Sequence, residues 1–268
     1  MLVPGVYGMR LGGLDFPPAL MARVPDHAPE LQVHVRHAGW HPGGGAEGTD
    51  LIGGGVLYLD EHVRSADFAL DRTLTADELI HPWLAPAASA FALADGNLSL
   101  HGGVLAADGG AVAVVGDREA GKSSLVAAAA FAGVDVMTDD IVVVSRAGDV
   151  LAGPRCVDLR PSALEHFPAS RTRVARDGTR HRLELPQGCQ EAPLRAVVVL
   201  GWGSEVSLRL LPATERVAAL LPHLASARVP RSYEAVLRFA HLPVLVLLRP
   251  RDWGLVDHTV ERVLALTR

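Results

Sequence analysis

Residues 116–124 read GDREAGKSS. Gly116, four intervening residues, then Gly121, Lys122 and Ser123 fit the pattern G-x-x-x-x-G-K-[ST]. Glycines in such a loop let backbone N–H groups turn toward an anion. The positive N-terminal end of the helix that follows adds to the attraction. Lys122 supplies a point charge for outer phosphates, and Ser123 a hydroxyl for Mg2+. The pattern needs a strand before it and a helix after it. AVAVVG at 111–116 and SSLVAAAAFAG at 123–133 supply both. Gly116, Asp117, Arg118, Glu119, Ala120, Gly121, Lys122, Ser123 and Ser124 are therefore the expected contacts of a bound nucleotide. Asp117 and Glu119 are unusual in this place, since acids repel a triphosphate unless they point outward.

Working outward, the helix leads to a strand, VDVM, that ends in Asp139 and Asp140, seventeen residues beyond Lys122. Strand ends beside a phosphate loop are where open α/β sheets bind ligands. Two adjacent carboxylates there divide the labour: one serves Mg2+ and the other accepts a proton from an attacking hydroxyl. Upstream, LHGG places His101 at the end of a strand that enters the hairpin LSLHGGVLA–ADGG–AVAVVG. Downstream, AVVVLGW (196–202) and VSLRLL (206–211) read as a second hairpin. TERVAALLPHL, YEAVLRFAHL and WGLVDHTVERVLALT read as helices, and PVLVLLRP as a buried strand between the last two. Strands alternating with helices after a phosphate loop predict an α/β core.

The first 70 residues are rich in Gly, Pro and His and predict a small, mostly β lobe. LQVHVRH (31–37) and VLYLD (56–60) are its clearest strands, and HPGGGAEGT (41–49) reads as a flexible loop. His34 and His37 lie three apart on that strand and face opposite sides, which argues against a metal site. Thr75 and Glu78 form a capping box for a connecting helix that Pro82 and Pro86 should divide and Gly96 should end. The expected division is 1–95 for lobe and connector and 96–268 for the phosphate-loop domain. RTRVARDGTRHR at 171–182 reads as a solvated basic loop, or as a flap that recruits a nucleotide or an acidic peptide. Arg155, Asp158 and Arg160 are polar residues in a strand-like stretch. Arg160 is a candidate to stabilise charge on a transferred phosphoryl group, or to form a surface salt bridge.

The chain has 268 residues, 49% of them hydrophobic, and a net charge of -5. That is ample for a core, and it gives no basic footprint for nucleic acid or an anionic membrane. Its longest apolar runs, LVAAAAFAGV and PVLVLL, fall far short of the ~20 residues a membrane helix needs. MLVPGVYGMR lacks the cationic start and apolar run of a leader. Cys156 and Cys189 show no metal spacing and read as reduced thiols. These features predict a cytoplasmic protein with neither a membrane nor a nucleic-acid partner.

LHGGVLAADGGAVAVVGDREAGKSSLVAAAAFAGVDVMTDDIVVV resembles the catalytic core of the HPr kinase/phosphorylase superfamily, and the resemblance extends over roughly residues 97–250. GPRCVDLRP and LRAVVVL look like the shorter HPr-kinase-related proteins, some of which accompany peptide natural-product pathways and phosphorylate a precursor peptide. The resemblance implies a P-loop kinase core of HPr-kinase type, a mixed sheet with flanking helices, here preceded by the small β lobe. It implies ATP and Mg2+ as cofactors and a serine hydroxyl of a peptide or protein as acceptor. Carried over residue by residue, Asp139 is the base and Asp140 the metal partner, or the reverse. Ser123 is the hydroxyl on Mg2+, Lys122 holds the β-phosphate, and His101 lies near the phosphates. The family's Gly- and Asn-containing phosphorylase signature is missing from GPRCVDLRPSAL, so kinase activity alone is expected. Nothing in the N-terminal lobe matches, which makes HPr itself a poor candidate substrate. Related enzymes form oligomers, but no homo-oligomer interface is legible here. A nucleotide-binding scaffold and a small-metabolite kinase are the competing expectations.

Overall fold

The computed structural model describes residues 1–43, 48–51, 54–175, 178–225 and 231–268. The N-terminal strands β1 (Leu2–Val6), β2 (Met9–Gly12), β3 (Ala22–Pro25), β4 (Glu30–His37), β5 (Gly48–Asp50), β6 (Val56–Asp60) and β7 (Ser65–Leu70) form one mixed sheet. Its order is β3-β1-β2-β4-β7-β6-β5. Both strands expected from LQVHVRH and VLYLD are present. Part of the Gly-rich stretch 41–49 lies outside the described residues. Gly48 and Thr49, read from sequence as loop, instead pair with Tyr58 and Leu57 as the edge strand β5.

The connector begins at α1 (Ala76–Glu78), where the Thr75–Glu78 capping box is made in both directions. The helix breaks at His81, which is extended (φ -148, ψ 120) just before Pro82, and resumes as α2 (Leu84–Ala94). Pro82 divides the helix as its ring geometry requires. Pro86 does not, because it falls in the first turn of α2, where a missing N–H costs nothing. Gly96 ends α2 at φ +78, with Asn97 N–H returning to Ala92 O. Nine of the eleven residues of α2 are buried. Its many alanines allow close approach on every side. Phe91 and Leu84 share one core with Leu31 and Phe68 of the first sheet and with Ile141, Val143 and Cys156.

The second sheet contains β8 (Leu98–Ala107), β9 (Gly110–Gly116), β10 (Asp135–Thr138), β11 (Ile141–Val144), β12 (Asp149–Leu151), β16 (Glu191–Trp202), β17 (Ser207–Leu210) and β18 (Val244–Arg249). Between them run the helix α3 (Lys122–Phe131), the small strands β13 (Cys156–Leu159), β14 (Thr172–Ala175) and β15 (Arg180–Glu184), and helices α4 (Ala213–Leu220) and α5 (Arg231–Arg238). A last helix, α6 (Val256–Leu264), packs with α3 over the sheet. The β8–β9 hairpin forms as read from sequence. β9, β16 and β18 run parallel, with Leu200 opposite Gly116 and Trp202 opposite Arg249. The second expected hairpin does not form. β17 pairs antiparallel with β18, and β18 inserts between β16 and β17. β18 buries Val244, Leu245 and Leu247 and needs a neighbour on both sides, whereas β17 leaves Leu210 exposed and suits an edge. Among the described residues no helix is long and apolar enough to cross a membrane.

The basic run 171–182 is not a loop. It forms the β14–β15 hairpin of a separate sheet, order β13-β15-β14, with residues 176–177 outside the described set. Arg182 is 1% exposed and holds Asp158 through two bonds, Nε–Oδ1 at 2.7 Å and Nη2–Oδ2 at 2.9 Å. It also reaches Asp77 of α1 at 2.7 Å. Arg173 adds contacts to Asp77 and Glu184 at 2.8 Å each. Arg173 and Arg182, which looked solvated in the sequence, thus fasten the hairpin to the connector.

Removing one partner of a buried ion pair strands the other. Arg182→Met should lower unfolding free energy by about 3–5 kcal/mol in urea denaturation. The double variant Arg182→Met/Asp158→Leu should recover most of that loss.

Candidate active site

The phosphate-loop sequence occupies the turn from β9 into α3. Gly116 sits at φ +153 and Gly121 at φ +84. A Cβ at Gly116 would come within 2.6 Å of Leu200 O; one at Gly121 would collide with the Arg249 guanidinium and lie 3.1 Å from the Trp202 ring. Both positions therefore require glycine. Ala120 is buried, while Asp117, Arg118 and Glu119 are exposed. Glu119 is drawn outward to Arg160, whereas the exposed Asp117 still lies close enough for its charge to act on Lys122, so the repulsion expected from sequence is lifted for Glu119 alone. Lys122 opens α3 and curls back, its Nζ donating to Gly116 O at 2.8 Å and Asp117 O at 3.0 Å. Burial pulls its pKa down, against the opposing charges of Asp139, Asp140 and Asp117. Ser124 follows on the first turn of α3.

The acid pair lies in the turn between β10 and β11. Ser123 Oγ donates to Asp139 Oδ1 at 3.3 Å, joining the acid turn to the helix that follows the loop. Asp139 is 7% exposed, and burial, then the neighbouring Asp140 charge, pushes its pKa up to about 7. Asp140 adopts φ +75, and its carbonyl accepts the Gly102 N–H at 3.0 Å. Its carboxylate faces His101 Nδ1 at 3.3 Å and His81 Nδ1 at 3.6 Å. The glycines after His101 have a steric role. A Cβ at Gly103 would press on Val126 and Asp139, and one at Gly102 on Val114 O.

Of the residues singled out in the sequence, Lys122, Ser123, Asp139, Asp140 and His101 converge here. Arg160 does not join them. It pairs with exposed Glu119 at the loop tip, N–O 2.9 Å, and this bond is the first cause holding the Glu119 carboxyl below its ordinary range. His81 was missed, because only the break before Pro82 turns it toward Asp140. Tyr7 was missed as well. It sits at φ +53 in the β1–β2 turn, is buried, and its hydroxyl lies 3.3 Å from Thr138 Oγ1 beneath the acid turn. His223 is buried where it senses the charges of Asp117, Lys122 and His101, and burial lowers its pKa. None of the three carried a local sequence signal.

Among the described residues no cluster of three or more His, Cys, Asp or Glu side chains forms a ready metal centre. Ser123 Oγ and the two carboxylates are all oxygen donors, which fits Mg2+, an ion that keeps several waters and takes its other ligands from phosphate.

No family model matches the chain, and no curated protein matches it. Among solved structures, the Hpr(Ser) kinase/phosphatase from Coxiella burnetii aligns with 61% of this chain and 93% of its own, at 13% identity and a TM-score of 0.33. A likeness this remote assigns no activity.

Asp139 has a testable effect on stability. Its ordinary pKa of 3.8 rises to about 7 in the folded chain. The unfolded chain therefore loses this proton first, and the folded state weakens as pH rises between those two values. In metal-free buffer, Asp139→Asn should gain stability relative to the parent chain from pH 4 to pH 7 and hold the gain above, as read by thermal melts. A pH-independent difference would contradict the assignment.

Proposed function

We propose that this chain is an ATP- and Mg2+-dependent phosphotransferase acting on a hydroxyl, most simply a serine of a peptide or protein. The observation that carries this reading is the Ser123–Asp139 hydrogen bond. It sets a buried carboxylate against the first turn of the helix that follows a phosphate-loop sequence.

Lys122 stands in the loop to hold the outer phosphates, joined by the loop's backbone N–H groups other than that of Ala120, which bonds Asp117 O at 3.1 Å, and by the N-terminal end of α3. Ser123 and Asp140 are the residues that would hold Mg2+, which neutralises phosphate oxygens when bound. Asp139 accepts the acceptor hydroxyl proton as the new P–O bond forms and the bond from the γ-phosphorus to the bridging oxygen breaks, releasing ADP. His101 and His81 hold the Asp140 carboxylate in place.

A pure nucleotide scaffold gains nothing from a carboxylate whose ionisation is disfavoured beside its phosphate site, so burial of Asp139 favours turnover. A small cavity lined by Tyr7, Ile80, His81, Leu84, Asp139 and Asp140 adjoins the acids. It has room for about one water, so it bounds the approach to the acids without choosing between a peptide and a small hydroxylated acceptor.

Lys122→Ala should lose tight MgATP binding by calorimetry. Asp139→Asn should keep binding yet lose phosphate transfer from γ-labelled ATP to serine peptides by roughly a hundredfold or more. Normal turnover by Asp139→Asn would put the base elsewhere, and unchanged binding by Lys122→Ala would remove the phosphate loop.

A further inference from the structure

Trp202 and two arginines lie against the outer flank of the loop, where the chemistry above leaves them unused. Trp202, half-buried at the end of β16, donates from Nε1 to Glu119 O at 3.2 Å, which presses its ring against the loop. The Arg249 guanidinium lies 4.6 Å from the ring centroid and that of Arg251 lies 5.0 Å from it. Arg249 is 5% exposed, its Nη2 reaches Gly121 O at 3.3 Å, and its Nε has no hydrogen-bond partner among the described residues. Among the described residues no carboxylate pairs with this buried guanidinium, which is costly, and the ring face and one carbonyl are its partners there. Arg251 is exposed.

The sheet order gives this cluster its direction. β8 flanks β9 on one side and carries β10, whose end bears Asp139 and Asp140. β16 and β18 extend from β9 on the other side and end in Trp202 and Arg249. A triphosphate in the loop with its transferable end at the acid pair directs the rest of the nucleotide toward β16 and β18.

We infer that Trp202 and Arg251, backed by Arg249, form the platform on which the nucleobase of the bound nucleotide packs. The inference rests on the phosphate-loop reading above. Aromatic and guanidinium planes hold a base through its π-face, which every base presents, so recognition by this platform is tolerant of base identity.

The test titrates the full chain in Mg2+ buffer with ATP, GTP and inorganic tripolyphosphate by calorimetry. Arg251→Ala should weaken ATP and GTP about tenfold while leaving tripolyphosphate nearly unchanged, and Trp202→Ala, which also frees Glu119 O, should weaken the two nucleotides about tenfold more than it weakens tripolyphosphate. Trp202→Phe, which keeps a stacking ring, should retain most of the affinity. The platform is overturned if Arg251→Ala and Trp202→Ala bind ATP as the parent does, or lose tripolyphosphate to the same degree. Failure of the parent chain to bind either ATP or tripolyphosphate would instead sink the phosphate-loop reading, and the platform with it.

Discussion

Everything around the candidate site answers to one electrostatic problem, a carboxylate held out of water beside a second carboxylate. Burial and the Asp140 charge both favour the protonated form of Asp139. The Ser123 hydroxyl and the Asp140 backbone N–H pull the other way by bonding to the charged form. The result is a group poised near neutrality rather than one locked in either state. That poise requires the acid turn to stay against α3, and the surrounding glycines are shaped to that end. Gly103 leaves room for Val126 and Asp139, while Gly153 leaves room for Tyr7 and Thr138.

The N-terminal sheet takes part in the same solution. Tyr7 reaches from the β1–β2 turn to Thr138, directly before the acids, and its backbone N–H bonds Ala152 O at 2.7 Å. His81 arrives from the connector to face Asp140, while Asp77 of the same connector is clamped by Arg173 and Arg182 of the β14–β15 hairpin. Residues before position 95 therefore line and brace the acid turn. This arrangement explains why a lobe with no recognisable motif of its own accompanies the loop.

The parts of the site that were legible in the sequence are those set by short-range chemistry. A glycine–lysine–serine loop, a helix that follows it and a strand ending in two acids each leave a local pattern, and all three form where expected. What stayed hidden depends on which strands meet in space. PVLVLL announced a buried strand but not that it would part β16 from β17. RTRVARDGTRHR announced charge, and charge suggested solvent. Yet in the β13–β15 register Arg182 stands opposite Asp158, a contact spanning 24 residues that no local pattern encodes. His81 and Tyr7 became visible only once the connector break and the first turn were placed against the second sheet.

The most direct test is a crystal structure of the chain with Mg2+ and a non-hydrolysable ATP analogue. The proposed chemistry predicts the β- and γ-phosphates within the 116–123 loop, Lys122 Nζ moved from the Gly116 and Asp117 carbonyls onto phosphate oxygen, and the γ-phosphate facing Asp139. A nucleotide bound elsewhere, or phosphates turned away from the acid pair with Lys122 still on its own loop, would contradict it.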